Sequence, residues 1–124
     1  MKLTGKPVYG IEWDDMVIDY EQPLDSAVLE SLTISQLFEM VEHMEYVYIH
    51  YRNDPYWAEK GDWRQFEENV KKVHFLLISA RLTPRHYRKW TEGKLEYANL
   101  TYREHVKRLM EDEEYFAKVV EDSF

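Results

Sequence analysis

Apolar side chains recur every three or four positions through most of this chain, and that spacing constrains its fold more than any other feature. Leu37, Met40, Val41, Met44, Val47, Tyr48 and Tyr51 fall on one side of an α-helix, because about 3.6 residues complete a turn. Trp63, Phe66, Val70, Val73 and Leu77 form a second stripe. Tyr102, Val106, Leu109, Met110, Phe116 and Val120 form a third. A single helix of such length is marginal in water, so the stripes must bury against one another. The expected fold is mainly α, a small bundle of three long helices and one short helix, with an N-terminal β-hairpin packed on it.

Capping signals place the helix ends. Thr33-Ile-Ser-Gln36 reads as a capping box opening a helix to about Arg52, which Asn53-Asp54-Pro55 ends. Asp62-Trp-Arg-Gln65 starts the second helix. Its end, from His74 to Leu82, is apolar nearly all round, and this is expected to be the most buried helix. His74 is accordingly expected as a core histidine with one hydrogen-bonded nitrogen. Thr83-Pro84 pairs a cap with a proline at the first helical position, and Gly93 suits a left-handed stop, which bounds a short helix from Arg85 to about Thr91. Thr101-Tyr-Arg-Glu104 is a second capping box. The helix it opens is expected to run unbroken to about Glu121, with Glu111-Asp-Glu-Glu114 inside it.

Before the helices, Val8 to Tyr20 alternates. Tyr9, Ile11 and Trp13 share one face, as do Met16, Ile18 and Tyr20, with Asp14-Asp15 at the turn. Asp25 to Ser31 reads as a short helical turn. No internal repeat or low-complexity linker interrupts the chain. One domain over residues 1–124 is therefore expected, with residues 1–22 as a hairpin or extended segment and 33–121 as the bundle.

Composition narrows the class. Hydrophobic residues at 44% and charged residues at 32% suit a globular domain rather than a disordered or membrane chain. The absence of cysteine excludes disulfides, thiol catalysis and zinc–thiolate sites. The opening MKLTGKPVYGIEW has no apolar h-region, so no secretory leader, no membrane association and a cytoplasmic location are expected. The formal net charge is −8, unevenly spread: residues 61–90 carry seven basic and three acidic groups, whereas every other quarter of the chain is acidic.

Catalytic patterns are missing. Met40, Val47, Lys71, Thr83 and Tyr102 precede the five histidines by three residues, so Glu-x-x-His does not occur, and neither does His-Glu-x-x-His. Glu39, His43, Tyr46 and His50 share one stripe, which reads as a solvated polar face. Arg81 and His86 stand five apart, a spacing some helical nucleases use, but Thr83-Pro84 sets a helix boundary between them. The four glycines are scattered, so no phosphate-cradling loop exists. The sequence names no catalytic residue, metal ligand or cofactor.

Two surfaces stand out for binding. The aromatic pair Tyr56 and Trp57 and the acidic run Glu111, Asp112, Glu113 and Glu114 suit a protein partner, since tyrosine and tryptophan concentrate interface energy and carboxylates attract basic surfaces. The segment Arg81, Arg85, Tyr87, Arg88, Lys89 and Trp90 interleaves cations with flat rings, which suits nucleic acid or another anion. Lys94, Arg103, Lys107 and Arg108 would extend it. The expected function is a non-catalytic acidic binding protein of inhibitor, immunity or regulatory type. The alternative is a nucleic-acid-binding regulator using residues 81–108. A homodimer pairing the basic segment with an acidic one is also open to the chain.

Overall fold

The computed structural model describes residues 10–13, 16–53, 55 and 63–124. Val8, Tyr9, Asp14-Asp15, Asp54, Tyr56, Trp57 and Asp62 lie outside the described residues. The described elements are β1 (Gly10–Trp13), β2 (Met16–Asp19), α1 (Ser26–Ser31), α2 (Ile34–Arg52), α3 (Trp63–Ser79), α4 (Pro84–Thr91), α5 (Tyr102–Glu111) and α6 (Glu113–Glu121). The fold is the expected mainly α bundle with a small antiparallel hairpin.

In the hairpin, Ile11 faces Ile18 and Trp13 faces Met16. Ile18 and Tyr20 are buried, whereas Glu12 and Val17 point to solvent. A two-stranded sheet cannot hold itself in water, and the helices supply what it lacks. Asn69 of α3, itself buried, donates through Nδ2 to the carbonyls of Tyr20 (2.7 Å) and Gln22 (2.9 Å). Its Oδ1 accepts from the Leu24 N–H (3.2 Å) and from Gln65 Nε2 (3.1 Å). All four hydrogen-bonding positions of the amide are filled. Lys72 adds a bond to the Leu24 carbonyl at 2.8 Å. One helix face thus clamps the chain as it leaves the hairpin.

The core collects the predicted stripes. Leu37, Met40, Met44 and Val47 of α2 are buried, as are Phe66, Val73 and Leu77 of α3. Both capping boxes form. The Thr33 N–H reaches Gln36 Oε1 at 2.9 Å, and Thr33 Oγ1 accepts from the Gln36 N–H at 3.0 Å. Thr101 and Glu104 repeat the arrangement. The two capping threonines also pair across an isolated antiparallel bridge. Around it, the N–H groups of Ile34 and Ser35 donate to Leu100 and Ala98, and that of Tyr102 donates to Leu32. Donors at the first turn of α2 and α5, which their own helices cannot satisfy, are satisfied by the neighbouring segment.

Three expectations need correction. The last helix is two. Asp112 takes an extended conformation (φ −124°, ψ 106°), ends α5 and caps α6, accepting from the N–H groups of Glu114 and Tyr115. Aspartate is a strong N-cap, and Glu113 and Glu114 in the next turn suit the positive end of the helix dipole. The acidic run 111–114 is therefore a junction and not a helix interior. Second, α3 is not the most buried helix: α2 buries more of its side chains, and at the end of α3 Phe75 is 68% exposed, Ile78 is 73% exposed and His74 is exposed as well. Only one side of this apolar turn meets the core, so His74 is no core histidine. Third, Met110 (80% exposed) and Phe116 (37% exposed) fall outside the stripe assigned to them; the buried side chains of α5 and α6 are Tyr102, His105, Tyr115 and Val119.

The ends of α3 and α4 share a geometry. Gly93 (φ 71°) closes α4, with its N–H on Trp90 and the Lys94 N–H on Lys89. Arg81 (φ 60°) closes α3 in the same way, with its N–H on Ile78 and the Leu82 N–H on Leu77. An arginine therefore occupies a left-handed position that glycine fills more readily.

Candidate functional site

The groups best suited to chemistry are spent inside the fold. His86 is fully buried on α4, and its Nδ1 accepts the Thr83 N–H at 3.0 Å. The remaining proton then sits on Nε2, which donates to the Val119 carbonyl of α6 at 2.7 Å. His86 occupies the place in this cap where glutamate or glutamine usually reaches back. His105 of α5 is also fully buried. Its Nε2 donates to the Ala80 carbonyl (2.9 Å), and its Nδ1 accepts from the Tyr115 hydroxyl (2.6 Å). Tyr97 stacks on His105 at 5.8 Å and donates to Asp122 at 2.7 Å. Lys89 completes this group with a 3.2 Å contact to Asp122.

Burial holds both histidines below their ordinary pKa, against the opposing pull of their backbone partners. Burial pushes the Tyr115 hydroxyl up to about 12 and the Tyr97 hydroxyl higher still. Burial also acts to raise the Asp122 carboxyl, but the Tyr97 hydroxyl and Lys89 together hold it below the usual range. These groups satisfy one another and tie α3, α4, α5 and α6 together. None of them lines the surface grooves described below.

The basic-aromatic segment is similarly engaged. Arg81 lies 5.0 Å over the Phe116 ring, and Lys89 holds Asp122. Tyr87 packs edge-on to Phe38 and donates to Glu42 at 2.6 Å. The Glu42 carboxylate is the main reason the Tyr87 hydroxyl is raised to about 12. Trp90 packs on Phe38 and donates through its indole nitrogen to Ser35 at 2.9 Å. Both rings are half-buried, docked on Phe38 of α2. Arg85 and Arg88 are exposed. Farther on, Arg108 lies over Tyr115 and pairs with Asp112, Arg103 meets Glu30, and Lys94 meets Glu92. Arg81 lies in the turn after α3 and His86 on α4, so no continuous helix carries both, as Thr83-Pro84 implied.

On α2, His43 Nδ1 shares a hydrogen bond with the buried Tyr20 hydroxyl (2.9 Å), and Glu39 accepts one from the Trp13 indole (3.0 Å). Tyr46 (56% exposed) lies 4.1 Å from the His50 ring. Among the described residues, no three histidine or carboxylate groups gather closely enough to hold a metal ion. No helix among them is long and apolar enough to cross a membrane.

The feature that sequence reasoning missed is a trough between α2 and α3. One part, about 530 Å³, is lined by Met44, Tyr48 and Ile49 on one wall and Phe66 and Val70 on the other. A second part, about 320 Å³, continues to α4, where Ile78, Pro84 and Tyr87 line it. Val41, Glu45 and His74 border both, so the two are continuous. The signal was in the stripes: Val41, Tyr48 and Val70 sit at their margins, and α3 carries more apolar surface than one neighbour can cover. Comparison with known proteins adds nothing to this geometry, since no family model, no curated protein and no solved structure matches the chain.

Proposed function

We propose that this chain is a non-catalytic binding protein that presents acidic, tyrosine-bearing helical surface to a macromolecular partner, in the manner of an inhibitor, immunity protein or regulator. The observation that carries this reading is the pairing of an apolar trough with acidic banks. Exposed Glu45 lines the α2 side, exposed Glu42 adjoins the trough through its bond to Tyr87, and exposed Glu67 stands on the α3 side, with Tyr46 exposed elsewhere on α2. Interfaces of this kind combine an apolar centre, aromatic anchors and a charged rim. The buried histidines and tyrosines support the same reading, because their hydrogen-bonding capacity is already taken up by the fold.

Glu111, Glu113 and Glu114 are exposed at the α5–α6 junction and offer a second acidic face, with Asp112 committed to capping. The nucleic-acid reading rests on exposed Arg85 and Arg88 and has less support, because Tyr87 and Trp90 are docked on Phe38.

Affinity capture from the native extract, with and without nuclease, tests both readings. The expected result is a protein that co-purifies with the unaltered chain, survives nuclease and is lost from a Glu42→Lys, Glu45→Lys, Tyr46→Ala variant. Capture of nucleic acid that Arg85→Ala and Arg88→Ala abolish would replace the first reading with the second. Failure to retain any macromolecule would remove both.

A further inference from the structure

The trough has the dimensions of a helix seat. Its lining on α2 runs from Phe38 to Ile49 and on α3 from Phe66 to Ile78. At about 1.5 Å per residue each wall is roughly 16–18 Å long, or about three helical turns. An extended peptide fits poorly there, because both walls are side chains of helices whose backbone groups bond internally. Its own N–H and C=O groups would lie against apolar lining without partners. A helix brings its backbone already satisfied and needs only an apolar stripe.

Charge selects among helices. Glu45 and Glu67 line the trough and Glu42 adjoins it through Tyr87, against Lys71 as the one lysine or arginine among the described lining residues. A second copy of this chain is a poor occupant, since each carries a net charge of −8 and would bring carboxylates toward carboxylates.

We propose that the α2–α3 trough seats the apolar face of a basic amphipathic helix supplied by a partner protein. This rests on the binding-protein reading above and specifies what the partner presents. Residues at the first, fourth, fifth and eighth positions of such a helix would enter beside Val41, Tyr48, Ile49, Val70 and Ile78. Lysine or arginine on its flanks would meet Glu42, Glu45 and Glu67.

The full chain is titrated with three labelled synthetic peptides of about 18 residues, a length suited to helix formation. One is an amphipathic Leu/Lys peptide, one is its Leu/Glu counterpart, and one is a scrambled Leu/Lys peptide. Fluorescence anisotropy should show the ordered Leu/Lys peptide binding about tenfold or more tightly than either control, and less tightly as salt rises. Methyl shifts on binding should centre on Val41 and Val70. Ile49→Lys and Ile78→Lys, both exposed and so tolerated by the fold, should each weaken binding about tenfold. Equal binding of the scrambled peptide, no binding, or indifference to both substitutions overturns the proposal. Salt-dependent self-association abolished by Ile78→Lys would assign the trough to a second copy and overturn it too. If Ile78→Lys still captures the native partner while peptide binding ignores it, the trough proposal falls and the broader reading stands. If the unaltered chain captures nothing, the broader reading falls by itself.

Discussion

Replacing Asn69 should unfasten the hairpin from the bundle. In Asn69→Ala the carbonyls of Tyr20 and Gln22 and the N–H of Leu24 lose their partner. Gln22 is exposed, so its carbonyl can turn to water, but Tyr20 and Leu24 are buried. An orphaned buried group costs about 1–3 kcal/mol, which gives about 2–6 kcal/mol for these two. Water entering the space left by the amide would recover part of this. We therefore expect a loss of about 3 kcal/mol. For a domain of this size that lowers Tm by roughly 10 °C. Asn69→Asp keeps the shape but aims a carboxylate at two carbonyl oxygens, so at pH 7 it should be at least as destabilising. Its native pKa must be raised, since protonation supplies a donor to one carbonyl. The deficit relative to the parent should then shrink as pH falls toward about 4. Urea unfolding followed by circular dichroism and tryptophan fluorescence measures both. Hydrogen exchange should show β1 and β2 opening while α5 and α6 stay protected. An Asn69→Ala loss below about 0.5 kcal/mol, or an Asn69→Asp deficit that does not change with pH, would refute the clamp.

Three further outcomes follow from the fold. His86 and His105 are held neutral, with native pKa values below the unfolded value near 6.5, so the unfolded chain binds protons first as pH falls. Stability should decline below about pH 6.5 at up to about 2.7 kcal/mol per pH unit for the two groups, and urea midpoints of His105→Gln, which keeps one neutral donor, should decline less steeply. At Arg81 glycine should be more stable than alanine by about 1 kcal/mol, the reverse of a helix interior, because only glycine takes φ 60° without strain; thermal melts of the two variants compare them directly. Asp112→Ala removes the acceptor for two N–H groups and should cost about 1–2 kcal/mol in urea unfolding, whereas Asp112→Asn should retain most of the stability.

The helices were legible because burial and spacing agree. Leu37, Met40, Met44 and Val47 occupy successive turns, and each meets the core. Threonine caps at positions 33 and 101 were legible for a local reason, since each is answered by a residue three positions on. The break at Asp112 was written in the same code, an aspartate followed by two glutamates, but the apolar series on either side of it reads as continuous. His74 and Phe75 looked internal because hydrophobicity says that a residue can be buried, whereas only the arrangement of neighbours decides how many sides are covered. The basic-aromatic segment was correctly seen as dense in charge and rings. Its partners could not be seen, because Phe38, Glu42, Ser35 and Asp122 come from distant parts of the chain. The trough was hidden for the same reason, as it belongs to neither helix alone.

The bridge between Thr33 and Thr101 has a consequence for how the molecule comes apart. Each strand of that contact finishes the other's helix start, so α2 and α5 depend on one another for their first turns. A truncation before residue 95 would strip the acceptors from Ile34 and Ser35 and fray the longest helix from its beginning. During synthesis, the opening turn of α2 gains these acceptors only once residues 98–100 are in place.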